Sequence, residues 1–200
     1  MPTSSFEYVI EHMEDQIKGW PELEYTNILL KTNNLHLILQ QNFDKASIPD
    51  ALAGAKITFE SIATWPQAEK DRVLLLDPAS TQLLSPADGL SYKYLLFGGI
   101  LGDDPPKDRT KQLRDLGFVT RQLGNLQMTT DTAVMVAQQI VEHRINIEDL
   151  EWVDFPDIQL SRRESVQMPF RYLKTEGGGP LLPKGMVAHL KKTNNEPVNI

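Results

Sequence analysis

The chain has 200 residues, of which 40% are hydrophobic and 24% charged, and it contains no cysteine. This length suits one large domain with a sizeable core. The lack of cysteine excludes disulfides, thiolate zinc sites and cysteine nucleophiles, and it is typical of a reducing compartment. No apolar run reaches the roughly 18 residues that span a membrane, and the N-terminus lacks a secretory signal pattern. We therefore expect a soluble cytoplasmic protein.

The formal net charge of −7 is unevenly distributed. Residues 1–106 carry 15 acidic and 7 basic side chains, whereas residues 107–200 carry 12 acidic and 13 basic ones. An acidic front half repels a phosphate backbone, and no basic stripe elsewhere offsets it. The charge therefore indicates either a basic partner or only a solvated acidic surface, and nucleic acid is not the expected direct substrate.

Short apolar runs alternate with helical segments along most of the chain. In chain order, the predicted elements are strand Glu7–Ile10, helix Glu22–Lys31, strands Leu35–Leu39, Val73–Leu76 and Tyr94–Phe97, helix Lys107–Leu116, strand Phe118–Thr120 and helix Thr129–Glu142. Near-continuous apolar strands separated by helices are typical of a sheet that is covered on both faces. We predict an α/β fold with a parallel sheet.

The first and last of these helices carry the clearest signals. Pro21 marks the start of the first helix, and Thr129, Thr130 or Asp131 caps the last one. The residues available for packing are Leu23, Ile28 and Leu30 in the first helix and Ala133, Val136, Ala137 and Ile140 in the last.

The pattern changes after Ile145. Glu151–Phe155 has the composition of a further strand, Gln159–Leu173 is polar and irregular, and Pro183–Lys192 is predicted to form a short helix. We therefore divide the chain into a domain over residues 1–145 and a C-terminal extension over 146–200 that packs on it. The last residues are expected to fray.

Three predicted strands end in polar or glycine-rich segments that start at Asp77, Gly98 and Arg121. In an open parallel sheet, ligands bind beyond the carboxyl ends of the strands. Glycines at 98, 99, 102 and 124 allow backbone atoms to approach a ligand or to adopt positive φ. By composition alone, Gly98–Gly102 also suits a tight turn, and it matches neither a dinucleotide fingerprint nor a P-loop.

The order of these motifs is more specific than any one of them. The motifs are Phe97–Asp103 with Pro105-Pro106 and Asp108–Thr110, Leu123-Gly124, Gln127–Ala133, Met168–Tyr172 and the N-terminal Tyr8–Glu14. They resemble the small eukaryotic and archaeal SPOUT-class methyltransferases, typified by a yeast enzyme that methylates an arginine of a small-subunit ribosomal protein. The resemblance covers nearly the whole chain and is weakest over residues 40–70 and in the tail.

This resemblance implies a SPOUT fold with a C-terminal trefoil knot, which holds S-adenosylmethionine and leaves S-adenosylhomocysteine as the product. It also implies a monomer, and it requires no metal. By similarity, the cofactor-binding residues are Leu76, Asp77, Pro78, Phe97, Gly98, Gly99, Leu101, Gly102, Asp103, Leu123, Gly124, Met128, Thr129 and Thr130.

An arginine acceptor needs carboxylates, because its guanidinium stays protonated and must be held in line with the methyl group. The predicted catalytic residues are Glu11, Asp103, His12 and Glu164, although His12 equally suits a structural role. The leading hypothesis is an arginine methyltransferase that acts on a basic ribosomal protein. An RNA methyltransferase and a non-catalytic, cofactor-binding ribosome-assembly factor are the alternatives.

Overall fold

The computed structural model describes residues 6–99, 108 and 110–194. Six of the described strands are β1 (Glu7–His12), β2 (Leu35–Ile38), β3 (Lys56–Thr58), β4 (Val73–Leu76), β5 (Tyr94–Gly99) and β6 (Val119–Arg121). They form one sheet in the order β3-β2-β1-β5-β4-β6, and every neighbouring pair is parallel. The predicted α/β fold with a parallel sheet is confirmed, and the trefoil knot stays a prediction.

The described α-helices are α1 (Trp20–Thr32), α2 (Gln67–Lys70), α3 (Lys111–Arg114), α4 (Thr130–Val141) and α5 (Met186–Asn194). Pro21 lies in the first turn of α1, as predicted. Helix α3 is shorter than the predicted Lys107–Leu116, of which Lys107 and Arg109 lie outside the described residues. Strand β3 and helix α2 were not predicted. No helix within the described ranges is long and apolar enough to cross a membrane.

The alternation of side chains along each strand separates two apolar cores on the two faces of the sheet. On one face, Tyr8, Ile10 and Phe97 belong to a cluster that includes residues of α1 and α4. On the other face, Val9 and Leu96 belong to a cluster against which Trp65 and Phe118 pack. Because the sheet is covered on both faces, its central strands are apolar along most of their length.

Helix α1 buries a partly polar face. Its buried residues are Pro21, Glu24, Tyr25, Asn27, Ile28 and Thr32. The predicted packing role of Leu30 is wrong, because this side chain is 68% exposed. A carboxylate and an amide on the buried face need hydrogen-bond partners inside the protein, and Glu24 and Asn27 find them near the N-terminus of α4.

Four short strands follow α4: β7 (Trp152–Asp154), β8 (Asp157–Gln159), β9 (Ser165–Gln167) and β10 (Arg171–Leu173). Strand β7 falls within the predicted Glu151–Phe155. The prediction that Gln159–Leu173 is irregular is wrong, because β8 pairs with β9 and β10 pairs with β7. Trp20 and Leu23 of α1 pack against an apolar cluster from this region and α5. The domain boundary at residue 145 stays a prediction.

We expect Leu75→Ala to lower the free energy of unfolding by about 2–5 kcal/mol, because Leu75 is fully buried in β4 and its neighbours cannot close the cavity. Urea denaturation measures this loss. The matched control is Leu30→Ala, whose exposed side chain should contribute less than about 0.5 kcal/mol. Equal losses in the two variants would contradict this description of the core.

Candidate active site

A pocket opens at the carboxyl edge of the sheet, where β1 and β5 lie side by side. The chain builds the sheet outward from β1 through β2 and β3 and then crosses to the other side of β1. Open parallel sheets bind ligands at such a reversal point. The lining residues are His12, Glu14, Trp20, Pro21, Glu24, Tyr25, Gly99, Met128, Thr129, Thr130 and Phe170.

Five residues of the predicted site line this pocket: His12, Gly99, Met128, Thr129 and Thr130. Gly99 is the last residue of β5 and is paired with His12. A Cβ atom at position 99 would lie 2.5 Å from Oη of Tyr25 and 2.7 Å from Cγ2 of Ile10. Position 99 therefore needs a glycine, because any side chain would push α1 away from the strand ends.

Glu24, which lines the pocket, and Asp131 behind it are buried carboxylates, with 6% and 2% of their surface exposed. Oε1 of Glu24 accepts a hydrogen bond from Nε1 of Trp20 at 2.5 Å, and Oε2 accepts one from the backbone N–H of Thr130 at 3.2 Å. Asp131 accepts hydrogen bonds from Asn27 at 2.8 Å and from the hydroxyl of Thr129 at 2.7 Å. Helices α1 and α4 are thus joined by their acidic residues.

The environment of these carboxylates disfavours their negative charges. Burial raises the pKa of Glu24 to about 8, and the charge of Asp131 acts in the same direction, against the hydrogen bonds from Trp20 and Thr130. Burial also raises the pKa of Asp131. Within the described part of the chain, no lysine or arginine forms an ion pair with either one. The pocket therefore suits a cationic ligand.

His12 and Tyr25 form the neutral part of the pocket wall. Nδ1 of His12 lies 2.8 Å from Oη of Tyr25. Burial lowers the pKa of His12 to about 4 and raises the pKa of Tyr25 well above its usual value. At neutral pH an uncharged imidazole and a protonated phenol therefore share this hydrogen bond. The catalytic role of His12 stays a prediction.

The other predicted catalytic residues lie away from this pocket. Glu11 is on the opposite face of β1 from His12, and its carboxylate accepts hydrogen bonds from the hydroxyl of Ser61 at 2.6 Å and from the N–H of Ile62 at 3.3 Å. Glu164 is exposed in the turn between β8 and β9. Asp103 lies outside the described residues. Their catalytic roles stay predictions.

The remaining predicted cofactor residues are distributed over three strand ends. Leu76, Phe97 and Leu123 are buried, Pro78 is exposed, and Gly98 is half-buried at the end of β5. Gly124 has a φ of +102°, which a glycine adopts without strain. Leu101, Gly102 and Asp103 lie outside the described residues.

Asp77 has a structural partner at the end of β4. Its carboxylate is 1% exposed and accepts hydrogen bonds from Nε and Nη2 of Arg114. The same guanidinium donates to both oxygens of Asp108, at 2.8 and 3.0 Å. Arg114 therefore ties residue 108, which follows the predicted cofactor segment in the chain, to β4 and α3.

The chain matches the family model described as "Protein arginine N-methyltransferase SFM1-like" over residues 7–196. It belongs to this family. The curated relative "Protein arginine N-methyltransferase SFM1" from Saccharomyces cerevisiae is 38% identical over 207 residues, which cover 96% of this chain and 97% of the relative. The family predicted from the sequence is confirmed.

Two solved structures of the yeast arginine methyltransferase SFM1 have the same fold. The complex with SAM has a TM-score of 0.89 at 38% identity and covers 98% of this chain and 94% of the yeast chain. The complex with SAH has a TM-score of 0.85 at 38% identity, with 91% and 93% covered.

Sequence reasoning missed Glu24 and Tyr25 and recognised Trp20 only as the start of a helix. The signal for Glu24 is its spacing, because Glu24, Asn27 and Ile28 follow the i, i+3, i+4 pattern of one helical face. Phe170 belongs to Met168–Tyr172, one of the motifs on which the family resemblance rests. Because Phe170 lines the pocket, this segment contributes to the site at the carboxyl edge of the sheet.

We expect Gly99→Ala to weaken the binding of S-adenosylhomocysteine at least tenfold in isothermal titration calorimetry. The added Cβ would collide with Oη of Tyr25 and break the contact of Tyr25 with His12. The matched control is Gly54→Ala, where a Cβ would lie at an ordinary 3.6 Å from Leu29. Unchanged affinity in Gly99→Ala would contradict the close packing of β5 against α1.

We expect Arg114→Gln to destabilise the protein and to weaken the binding of S-adenosylhomocysteine. Breaking a buried ion pair costs about 3–5 kcal/mol, and the loss should be smaller here because the side chain of Arg114 is 29% exposed. The double variant Asp77→Asn/Arg114→Gln should recover part of the stability, since no unpaired charge is left at position 77. Urea denaturation measures the stability of the single and the double variant. Equal stability of the single variant and the wild type would show that the ion pair of Asp77 and Arg114 contributes nothing.

Proposed function

We propose that this protein transfers one methyl group from S-adenosylmethionine to an arginine of a small-subunit ribosomal protein. S-Adenosylhomocysteine is the second product. The family membership supports the reaction class. The structural observation that supports arginine as the acceptor is the buried carboxylate of Glu24 in the pocket wall, with Asp131 behind it and no cationic partner for either among the described residues.

The chemistry of arginine fits this pocket. A guanidinium is planar, always charged and able to donate parallel hydrogen bonds to a carboxylate. The pocket offers the carboxylate of Glu24, and the rings of Trp20, Tyr25 and Phe170 provide flat surfaces beside it. The same wall would repel the phosphates of an RNA, because its charged groups are acidic. These features favour a protein arginine over a nucleotide as the acceptor.

The residues at the strand ends fit the methyl donor. Gly99 presents bare backbone at the pocket, and Gly124, with a φ of +102°, has open space where a side chain would stand. Such groups suit an adenine ring, which is recognised through directed hydrogen bonds. The donor supplies an electrophilic methyl group on a positively charged sulfur, for which an acidic surrounding is favourable. We propose that the segments at 76–78, 97–103 and 123–130 hold it.

The charge distribution supports a basic protein partner. Residues 1–106 hold most of the excess negative charge, and both strands that frame the pocket belong to this part. Opposite charge on a ribosomal protein would accelerate encounter and orient it towards the pocket. Phe170 completes the wall from the same chain, so we also propose a monomer, acting in the cytoplasm where ribosomal proteins are made.

The expected product is monomethylarginine in protein. The test incubates the purified chain with radiolabelled S-adenosylmethionine and an extract of cells that lack it, and then digests parallel samples with protease or ribonuclease. Protease should release the label, and acid hydrolysis should yield labelled monomethylarginine. The Gly99→Ala variant serves as the control for contaminating activities. Label that resists protease but disappears with ribonuclease would overturn the arginine assignment in favour of RNA.

A further inference from the structure

We propose that Glu24 binds the acceptor guanidinium and takes up the proton that the arginine loses, while Asp131 behind it positions Glu24 and sets its charge. This inference rests on the proposed function and assigns a residue to it. Of the catalytic carboxylates predicted from the sequence, Glu11 and Glu164 lie away from the pocket, and Asp103 lies outside the described residues.

The hydrogen bonds of Glu24 leave it free to bind a ligand. Each carboxylate oxygen can accept two hydrogen bonds. Oε1 receives one from Trp20, and Oε2 receives one from Thr130. The hydroxyl of Thr130 also donates to this carboxylate. One acceptor position therefore remains on the carboxylate, and Glu24 lines the pocket. An N–H group of a guanidinium can donate to that position in a charge-assisted hydrogen bond.

The anchors of Glu24 hold its carboxylate in one place. Trp20 is the first residue of α1 and Thr130 is the first residue of α4. Glu24 thus accepts a backbone N–H that has no partner within α4, and it lies at the positive end of that helix. A carboxylate that is fixed from two helices orients its ligand better than one on a mobile side chain.

The proton transfer accompanies methyl transfer. One guanidinium nitrogen attacks the methyl carbon, so the N–C bond forms while the S–C bond breaks and its electron pair stays on sulfur. The attacking nitrogen becomes strongly acidic as its lone pair enters the new bond. Its N–H proton then passes to the carboxylate of Glu24, and the electron pair of that N–H bond stays on nitrogen. The protonated Glu24 finally releases the proton to solvent through the mouth of the pocket.

Among the described residues, most other titratable groups around Glu24 are held in a neutral form or do not line the pocket. His12 stays neutral because burial lowers its pKa to about 4, and Tyr25 and Tyr172 stay protonated because burial raises their pKa values. Glu14 is a half-buried carboxylate of the same wall. Asp131 does not line the pocket, and both of its oxygens are held by Thr129 and Asn27.

The direction of the pH dependence follows from the raised pKa of Glu24, which is about 8 in the empty pocket. Only the ionised carboxylate can bind the guanidinium and accept its proton. The value of kcat/KM for an arginine peptide should therefore rise with pH and level off above about pH 8. A bound cation favours the ionised form of Glu24. The rise of kcat with pH should therefore occur at lower pH than the rise of kcat/KM.

The decisive variant is Glu24→Gln, which keeps the shape of the side chain but cannot take up the proton. We expect kcat to fall at least a hundredfold, the magnitude typical of losing a general base. The rise of kcat/KM with pH should disappear, while the affinity for S-adenosylhomocysteine stays within threefold of the wild type. The matched control is Glu22→Gln on the same helix, outside the pocket lining, which should behave as the wild type.

A second variant tests the role of Asp131. In Asp131→Asn, the amide oxygen still accepts from Asn27 and the amide nitrogen can donate to Thr129, so the local hydrogen bonds survive. Removal of the neighbouring negative charge should lower the pH at which kcat/KM rises. A rise at the same pH as in the wild type would show that Asp131 does not set the charge of Glu24.

The outcomes separate this inference from the proposed function. Methylation of arginine by the wild type with a nearly unchanged kcat in Glu24→Gln would overturn the role of Glu24 and leave the function standing. If the wild type methylates no arginine, the binding of N-acetyl-arginine amide in the presence of S-adenosylhomocysteine still tests whether Glu24 forms a guanidinium site. Loss of that binding in Glu24→Gln would support the guanidinium site, whereas equal binding in both proteins, or binding in neither, would overturn it.

Discussion

The pairing of β1 with β5 is the constraint on which the site depends. This pair lies where the chain reverses its direction across the sheet, and its register places His12 opposite Gly99. The missing side chain at position 99 lets Tyr25 approach the strand ends. Helix α1 can then lie close enough for Glu24 to reach the first turn of α4. One pair of strands thus sets the distance between the two helices that form the pocket.

The buried carboxylates make this region a compromise between stability and binding. Burial raises the pKa of both acidic groups, and the charge of Asp131 raises that of Glu24 further, so a fold under no functional demand would place apolar residues there. The surrounding hydrogen bonds from Trp20, Thr130, Asn27 and Thr129 fix their positions but supply no full positive charge. In the proposed function, the guanidinium of the acceptor supplies it. Asp77 presents the contrasting case, because Arg114 neutralises it within the chain.

The sequence predicted the sheet better than the site. Runs such as Val73–Leu76 are buried on both faces, so their composition alone identifies a strand. The polar strands β8 and β9 have no such signal, because their exposed residues give no apolar run. The cofactor segments were found only through their order along the chain. Glu24 was missed because a lone glutamate on a helix is normally solvated, and only its contact with α4, about 100 residues away, distinguishes it.

If Glu24 has the proposed role, the arrangement around it also favours arginine over lysine. Both side chains bring one positive charge, so charge alone cannot separate them. Arginine presents a flat, weakly hydrated fork of donors, whereas the ammonium of lysine is a compact, strongly hydrated point charge. The rings of Trp20 and Phe170 meet edge to face, with centroids 6.3 Å apart, and form a rigid aromatic corner next to that carboxylate. A planar cation can stack on a ring while it donates to the carboxylate, whereas an ammonium must lose more of its water to enter the same pocket.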